Sequence, residues 1–165
     1  MMRRRWFGLS VLVFLAGCSA GTTVGTTLPA PTAVELHAVP SRVEVLGKTL
    51  VGETNVWRNM MPVVTLVGEP PAKHGIIVSI IIKADDGATL PGGLRAERVS
   101  VAKGDEVWST TAVETQRDET SFGATVRNGP EWAGESTLDV VADFRDSVGG
   151  LYQLRAPGKI VLSAF

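Results

Sequence analysis

The sequence IIVSIIIK at residues 76–83 decides the fold class. Six of its eight residues are branched at Cβ. Such side chains lose rotamer freedom in a helix and pack well on a pleated sheet. Because the run has almost no polar side, it predicts a central strand with both faces covered.

Shorter stretches on either side of this run alternate between apolar and polar residues, as half-buried strands do. They lie at residues 34–39, 42–46, 49–57, 62–67, 97–102, 105–114, 119–127, 136–144, 151–156 and 159–165. No stretch convincingly predicts a helix. Gly and Pro separate the strands, and Lys103-Gly104 indicates a hairpin.

This spacing predicts an all-β domain over residues 34–165, built as an antiparallel two-sheet sandwich with immunoglobulin-like architecture. A small β-barrel is the alternative. The comparison is with the architecture only, since the chain has one cysteine and therefore lacks the disulfide of true immunoglobulin domains. The apolar fraction of 44% is enough for a packed core.

The first residues have the pattern of a signal peptide. Arg3, Arg4 and Arg5 form a basic start, and residues 6–16 are an apolar run of 11. At 1.5 Å per residue this run is too short to span about 30 Å of hydrocarbon. We therefore expect residues 1–17 to be removed.

The motif Leu15-Ala16-Gly17-Cys18 closes this segment, and here the chain resembles bacterial lipoprotein precursors. The resemblance covers the first 18 residues and implies cleavage before Cys18, whose thiol then carries lipid. It implies a membrane anchor in the cell envelope. Ser19 is not the aspartate that retains many such proteins in the inner membrane, so the resemblance points to the outer membrane, facing the periplasm, in a Gram-negative source.

Between Cys18 and the domain, residues 19–33 are rich in Thr, Gly, Pro and Ala, which predicts a flexible linker over residues 18–33. Without the three arginines of the signal peptide, the remaining chain has 16 − 3 = 13 basic and 17 acidic residues, a net charge of −4. A nucleic-acid partner is not expected, because no basic stripe remains.

Catalytic and metal-binding residues are few. The two histidines, His37 and His74, are expected on a solvent-facing strand edge and in a polar loop. No nucleophile or phosphate-binding motif occurs, so we predict no catalytic residue, metal or cofactor. Asp139, Asp143 and Asp146 lie near one turn; salt bridges to Arg145 or Arg155 explain them better than calcium does.

The most unusual stretch contains Trp57, Arg58, Met60 and Met61 at a strand break. Trp and Arg often anchor interfaces, and Met adapts to irregular partners, so these four are candidate partner-binding residues. The competing interpretation places Trp57 in the core. Core or loop packing is expected for two other tryptophans, Trp108 and Trp132, and a loop-pinning hydroxyl for Tyr152.

The sequence thus favours a noncatalytic envelope lipoprotein whose β-domain binds a protein or peptide, at a sheet edge or around Trp57. A second hypothesis is a periplasmic module that binds a small ligand or glycan on exposed tryptophan. An unrecognised hydrolase using paired carboxylates is less favoured, since the usual site groups are missing.

Overall fold

A computed structural model describes residues 29–59 and 74–163 of the chain. Within these ranges it contains one short helix and nine strands. They are α1 (Ala33–Ala38), β1 (Arg42–Val45), β2 (Lys48–Asn59), β3 (Ile76–Ala84), β4 (Arg95–Lys103), β5 (Glu106–Thr110), β6 (Glu114–Arg117), β7 (Ser121–Val126), β8 (Thr137–Arg145) and β9 (Leu151–Ser163).

The described strands form one curled, mixed sheet that makes half of a barrel. Its order is β5-β4-β8-β9-β2-β3-β7-β6, with β1 paired to β2. The expected all-β class is confirmed. The layout differs from the expected antiparallel sandwich because the sheet path is continuous and β2 and β9 pair in parallel.

Strand β9 makes the path continuous. Residues 151–159 pair with β8, and residues 160–163 pair with β2. The sequence pattern predicted two strands here, separated by a turn at Pro157, and that prediction is wrong. Pro157 fits inside the strand because the N–H of Arg155, two residues earlier, points away from β8 to Pro40 O. The nitrogen of Pro157 points the same way, so no ladder hydrogen bond is lost.

One hydrophobic core fills the concave side of the curled sheet. The sheet has two halves, β5-β4-β8 and β2-β3-β7-β6, which β9 joins. Alternate residues of the central strands of both halves contribute to the core, including Val101 and Phe144 in the first half and Ile80 and Phe122 in the second. Strand β3 alternates strictly between buried and half-buried residues. It is central in its half, as predicted, but only one of its faces is fully covered.

Residues 34–39 were predicted to form a strand, and that prediction is wrong. They lie mostly in α1. Thr32 caps this helix: its hydroxyl accepts from Glu35 N, and the Glu35 carboxylate accepts from Thr32 N. Leu36 and Val39, three residues apart, face one side and pack on β4 and β8. The Thr-x-x-Glu capping box was the sequence signal for this helix.

The hairpin predicted at Lys103-Gly104 is confirmed, and a second tight hairpin joins β1 and β2. Strands β1 and β2 are joined by Leu46 and Gly47, both with positive φ, and β4 and β5 by Gly104 and Asp105. The stretch 105–114, predicted as one strand, is broken between β5 and β6. The predicted strand at residues 62–67 lies outside the described residues.

Candidate functional site

Trp57 lies on the outer face of the sheet, not in the core. Its neighbour Val56 points inward and is paired with the core residues Val78 and Ile160. Successive strand residues point to opposite faces, so Trp57 faces outward. The interpretation that places Trp57 in the core is therefore wrong.

On this outer face, Trp57 is flanked by two apolar residues. It is in register with Ile77 of β3 on one side and with Val161 of β9 on the other. Trp57 and Ile77 are half-buried, whereas Val161 is 60% exposed. We call Trp57, Ile77 and Val161 the outer row; it is an apolar strip across three hydrogen-bonded strands.

Polar residues border the outer row. The next outward positions on β2, β3 and β7 are Asn55, Ser79 and Thr125, and the last two share a hydrogen bond of 3.1 Å between their hydroxyl oxygens. Beyond them, Gly123 leaves a groove of about 250 Å³ that we call the Gly123 groove. It is lined by Ser79, Ile81, Gln116, Asp118, Ser121, Gly123 and Thr125.

Arg58, the neighbour of Trp57, has a structural role. Its Nε donates to His74 O at 2.6 Å and its Nη1 to Trp132 O at 3.3 Å. Glu131 lies 3.8 Å from Nη2 and also accepts from His74 N. The guanidinium thus holds the loop before β8 against the start of β3. The other two candidate partner-binding residues, Met60 and Met61, lie outside the described residues.

Trp108 and Trp132 pack against the core, as expected. Trp132 is 7% exposed, and its indole Nε1 donates to Glu106 Oε2 at 2.7 Å. Lys103 Nζ lies 5.8 Å from the centre of the same ring. Of these three tryptophans, Trp57 alone has a position on the outer face opposite the core.

A cluster of polar side chains lies on the outer face of β4, β8 and β9, beneath the segment that contains α1. Arg98 and Asp143 are 8% and 2% exposed, and Arg98 Nε donates to Asp143 Oδ2. Arg98 Nη1 donates to Pro29 O at 2.6 Å, and Gln153 Nε2 to Asp143 Oδ1 at 2.8 Å. A cavity of about 370 Å³ lies between residues 29–39 on one side and Arg98 and Gln153 on the other.

Beside this pair, His37 of α1 contacts β8. Its Nδ1 lies 2.6 Å from Asp139 Oδ2, and its Nε2 lies 3.2 Å from Gly104 O. The hydrogen bond with Asp139, and secondarily the one with Gly104, raises the pKa of His37 above its ordinary value. Asp139 also accepts from Arg155, whose Nε donates to Val39 O. These contacts could not be predicted from the sequence, because their partners are distant along the chain.

The acidic residues near the β8–β9 turn have separate partners. Asp139 pairs with Arg155, as expected, whereas Arg145 pairs with Glu97. Asp146 accepts from Tyr152 Oη at 2.9 Å, so the tyrosine pins the turn as predicted. In the described part of the chain, no three His, Cys, Asp or Glu side chains are grouped so that they could hold a metal ion.

No protein-family model, curated protein or solved structure matches this chain. Among residues 29–59 and 74–163, no helix is both long enough and apolar enough to cross a membrane.

Proposed function

We propose that this chain is a bacterial lipoprotein precursor whose mature domain is noncatalytic and binds a protein or peptide partner of the cell envelope through the outer row. The observation that carries the partner-binding proposal is the outward position of Trp57, in register with Ile77 and the exposed Val161. A tryptophan that the core does not use is available to a partner.

The chemistry of the outer row suits a protein interface. Interfaces have apolar, often aromatic centres bordered by polar rims, and tryptophan is enriched among the residues that dominate binding. Here Trp57 is central, and Asn55, Ser79 and Thr125 supply polar groups along one border. Because Arg58 already holds the loop before β8 against the start of β3, its contribution would be to keep these segments in place.

The anchor would be lipid on Cys18, after cleavage behind Gly17. Each buried methylene stabilises membrane attachment by about 0.8 kcal/mol, and two or more acyl chains make attachment stable. The anchor would confine the domain to a membrane surface of the envelope and so restrict its partners to envelope proteins. The outer membrane, facing the periplasm, is the proposed location in a Gram-negative source.

Intact-mass analysis tests the anchor. Expressed in a bacterium, the chain should appear in the membrane fraction with the mass of residues 18–165 plus acyl groups. The Cys18→Ala variant should carry no acyl groups. An uncut or unacylated native chain would overturn the lipoprotein assignment.

In-cell photo-crosslinking tests the outer row. A photoreactive phenylalanine at position 161 should give a discrete adduct with one envelope protein, and Trp57→Ala should abolish that adduct while the domain stays folded. The same photoreactive residue at Val148, which is 79% exposed in the β8–β9 turn, is the matched control. Equal adducts from both positions, or an adduct that survives Trp57→Ala, would contradict the proposal.

A second candidate function is binding of a small ligand or glycan. It is favoured by the Gly123 groove, whose lining includes three hydroxyl groups and the Gln116 amide, and by Trp57, whose outward indole would stack on a sugar ring. A Cβ at Gly123 would meet nothing closer than 3.6 Å, so Gly123→Leu should fill the groove without disturbing the backbone. Loss of neutral-oligosaccharide binding in Gly123→Leu, with photo-crosslinking unchanged, would favour this alternative.

A further inference from the structure

Residues 29–40, which we call the strap, cross the outer face of β4, β8 and β9. Polar contacts hold the strap at several points: Arg98 bonds Pro29 O, while Arg155 bonds Val39 O through its side chain and Pro40 O through its backbone. In the middle, α1 is six residues long, too short to be stable on its own. The strap therefore depends on its contacts with the sheet.

His37 makes the one contact of α1 that changes charge near neutral pH. Both of its ring nitrogens face hydrogen-bond acceptors, the Asp139 carboxylate and the Gly104 carbonyl. A neutral imidazole has one N–H and one lone pair, so one nitrogen would be left facing an acceptor. Only the imidazolium donates from both nitrogens, and this geometry therefore fits the charged form.

We propose that the strap is an acid-stabilised cover: protonated His37 holds α1 on β4 and β8, and loss of that proton lets the strap open more often. The fully charged groups that face His37 are Asp139 of β8 and Arg155 of β9. The turn between β4 and β5 contributes the uncharged Gly104 carbonyl, and Lys103 beside it lies 3.8 Å from Glu106.

The sign of the effect follows from linkage. Docking raises the pKa of His37, so its stabilisation is fully present below the ordinary value of 6.5 and is lost as pH rises through the docked value. The opening equilibrium of the strap is more favourable at high pH than at low pH. If docking raises the pKa of His37 by one, the open fraction is about tenfold larger at high pH. The apolar contacts of Leu36 and Val39 do not titrate, so the strap remains mostly closed.

Opening would uncover a second surface of the domain. Leu36 and Val39 leave Ala102 and Val141, and the apolar floor of β4 and β8 meets solvent. Arg98 loses its bond to Pro29 O at the same time. The strap thus covers a surface on β4 and β8 that combines an apolar floor with a buried arginine, whereas the outer row lies on β3, β2 and β9.

Hydrogen exchange of the full chain tests the cover. The amide of Leu36, which donates to Thr32 O, reports openings of α1. Its protection factor, corrected for the intrinsic exchange rate, should fall between pH 5.5 and pH 8.5. The fall should follow the ring titration of His37 measured by NMR. In His37→Gln the protection factor should be constant over this range, and the Asp118 amide, bonded to Ser121 O in another turn, is the internal control.

A protection factor at Leu36 that does not change with pH in the native chain would overturn the proposal. So would an equal fall in His37→Gln, because the titrating group would then lie elsewhere. An NMR titration that places the pKa of His37 at or below 6.5 would overturn it independently of the exchange data.

Discussion

Among single residues, Arg98 and Asp143 form the most deeply buried ion pair of the described residues. Both side chains are nearly excluded from solvent, although they lie on the face of the sheet opposite the hydrophobic core. A buried charge is costly unless it is paired and hydrogen-bonded. Gln153 and Pro29 O supply the additional bonds that make the pair tolerable.

Removing one member of this pair should destabilise the domain strongly. We expect Asp143→Ala to lower the free energy of unfolding by about 3 kcal/mol, since it leaves a buried arginine unpaired. Glu53→Ala breaks the exposed pair with Lys83 and should cost less than about 0.5 kcal/mol. Urea unfolding of both variants measures the difference; similar losses would contradict the burial argument.

Asp146 should make stability depend on pH. Burial alone raises its pKa, but hydrogen bonds from Tyr152 Oη and the amides of Gly150 and Val148 outweigh burial, so the pKa lies below its ordinary value. The stabilisation is therefore present above about 3.8 and is lost as pH falls through the lower folded pKa. The stability gap between the native chain and Asp146→Asn should narrow from pH 7 to pH 2.5 in urea unfolding. A constant gap would contradict this.

At the scale of elements, local turn chemistry sets the hairpins, and one of them is suboptimal. The two residues between β1 and β2 both have positive φ, which defines a type I′ turn. Gly47 adopts this conformation without strain, but Leu46, with φ of 48°, is 53% exposed, so packing does little to offset its strain. Asn128 shows the preferred solution elsewhere in the chain.

Leu46→Asn should therefore stabilise the protein. We expect the free energy of unfolding to rise by about 1 kcal/mol, because asparagine tolerates the left-handed conformation better than leucine does. Val148→Asn, at another exposed turn position without positive φ, should change stability by less than about 0.5 kcal/mol. Thermal unfolding compares the two; a loss of stability in Leu46→Asn would refute the strain argument.

At the scale of the whole molecule, β9 joins the two halves of the sheet around one core. Where β9 passes from β8 to β2, Thr54 Oγ1 donates to Pro157 O. A Cβ on the adjacent Gly158 would come within 2.9 Å of the same Thr54 oxygen and 3.1 Å of Val56. The packing of the Thr54 and Val56 side chains against β9 therefore favours glycine at this crossing.

Gly158→Val should weaken both halves together. We expect a loss of about 2 kcal/mol, because overpacking forces the two strands apart. Tryptophan fluorescence and far-UV circular dichroism should still report one shared transition, since the halves share a core. Gly123→Ala, whose Cβ has room, is the control and should unfold like the native chain. Two separate transitions in Gly158→Val would contradict a single cooperative core.

Most strands and the hairpin at Lys103-Gly104 could be predicted from the sequence, because alternation and turn residues act over a few neighbouring positions. It contained the signal for α1 as well, in Thr32 and Glu35, although the apolar alternation nearby favoured a strand. It could not decide which of the adjacent apolar residues Val56 and Trp57 faces inward. Both phases of the alternation bury one large apolar residue, so local pattern alone leaves the choice open.

The features on which the proposals depend arise from contacts between residues that are distant along the chain. Val78 and Ile160 select Val56 for the core, and Trp57 is thereby left on the outer face. The pairs Arg98–Asp143 and His37–Asp139 join residues 45 and 102 positions apart. Such contacts exist only once the sheet has curled and the strap has docked, because charge pairing acts through space and no local pattern encodes it.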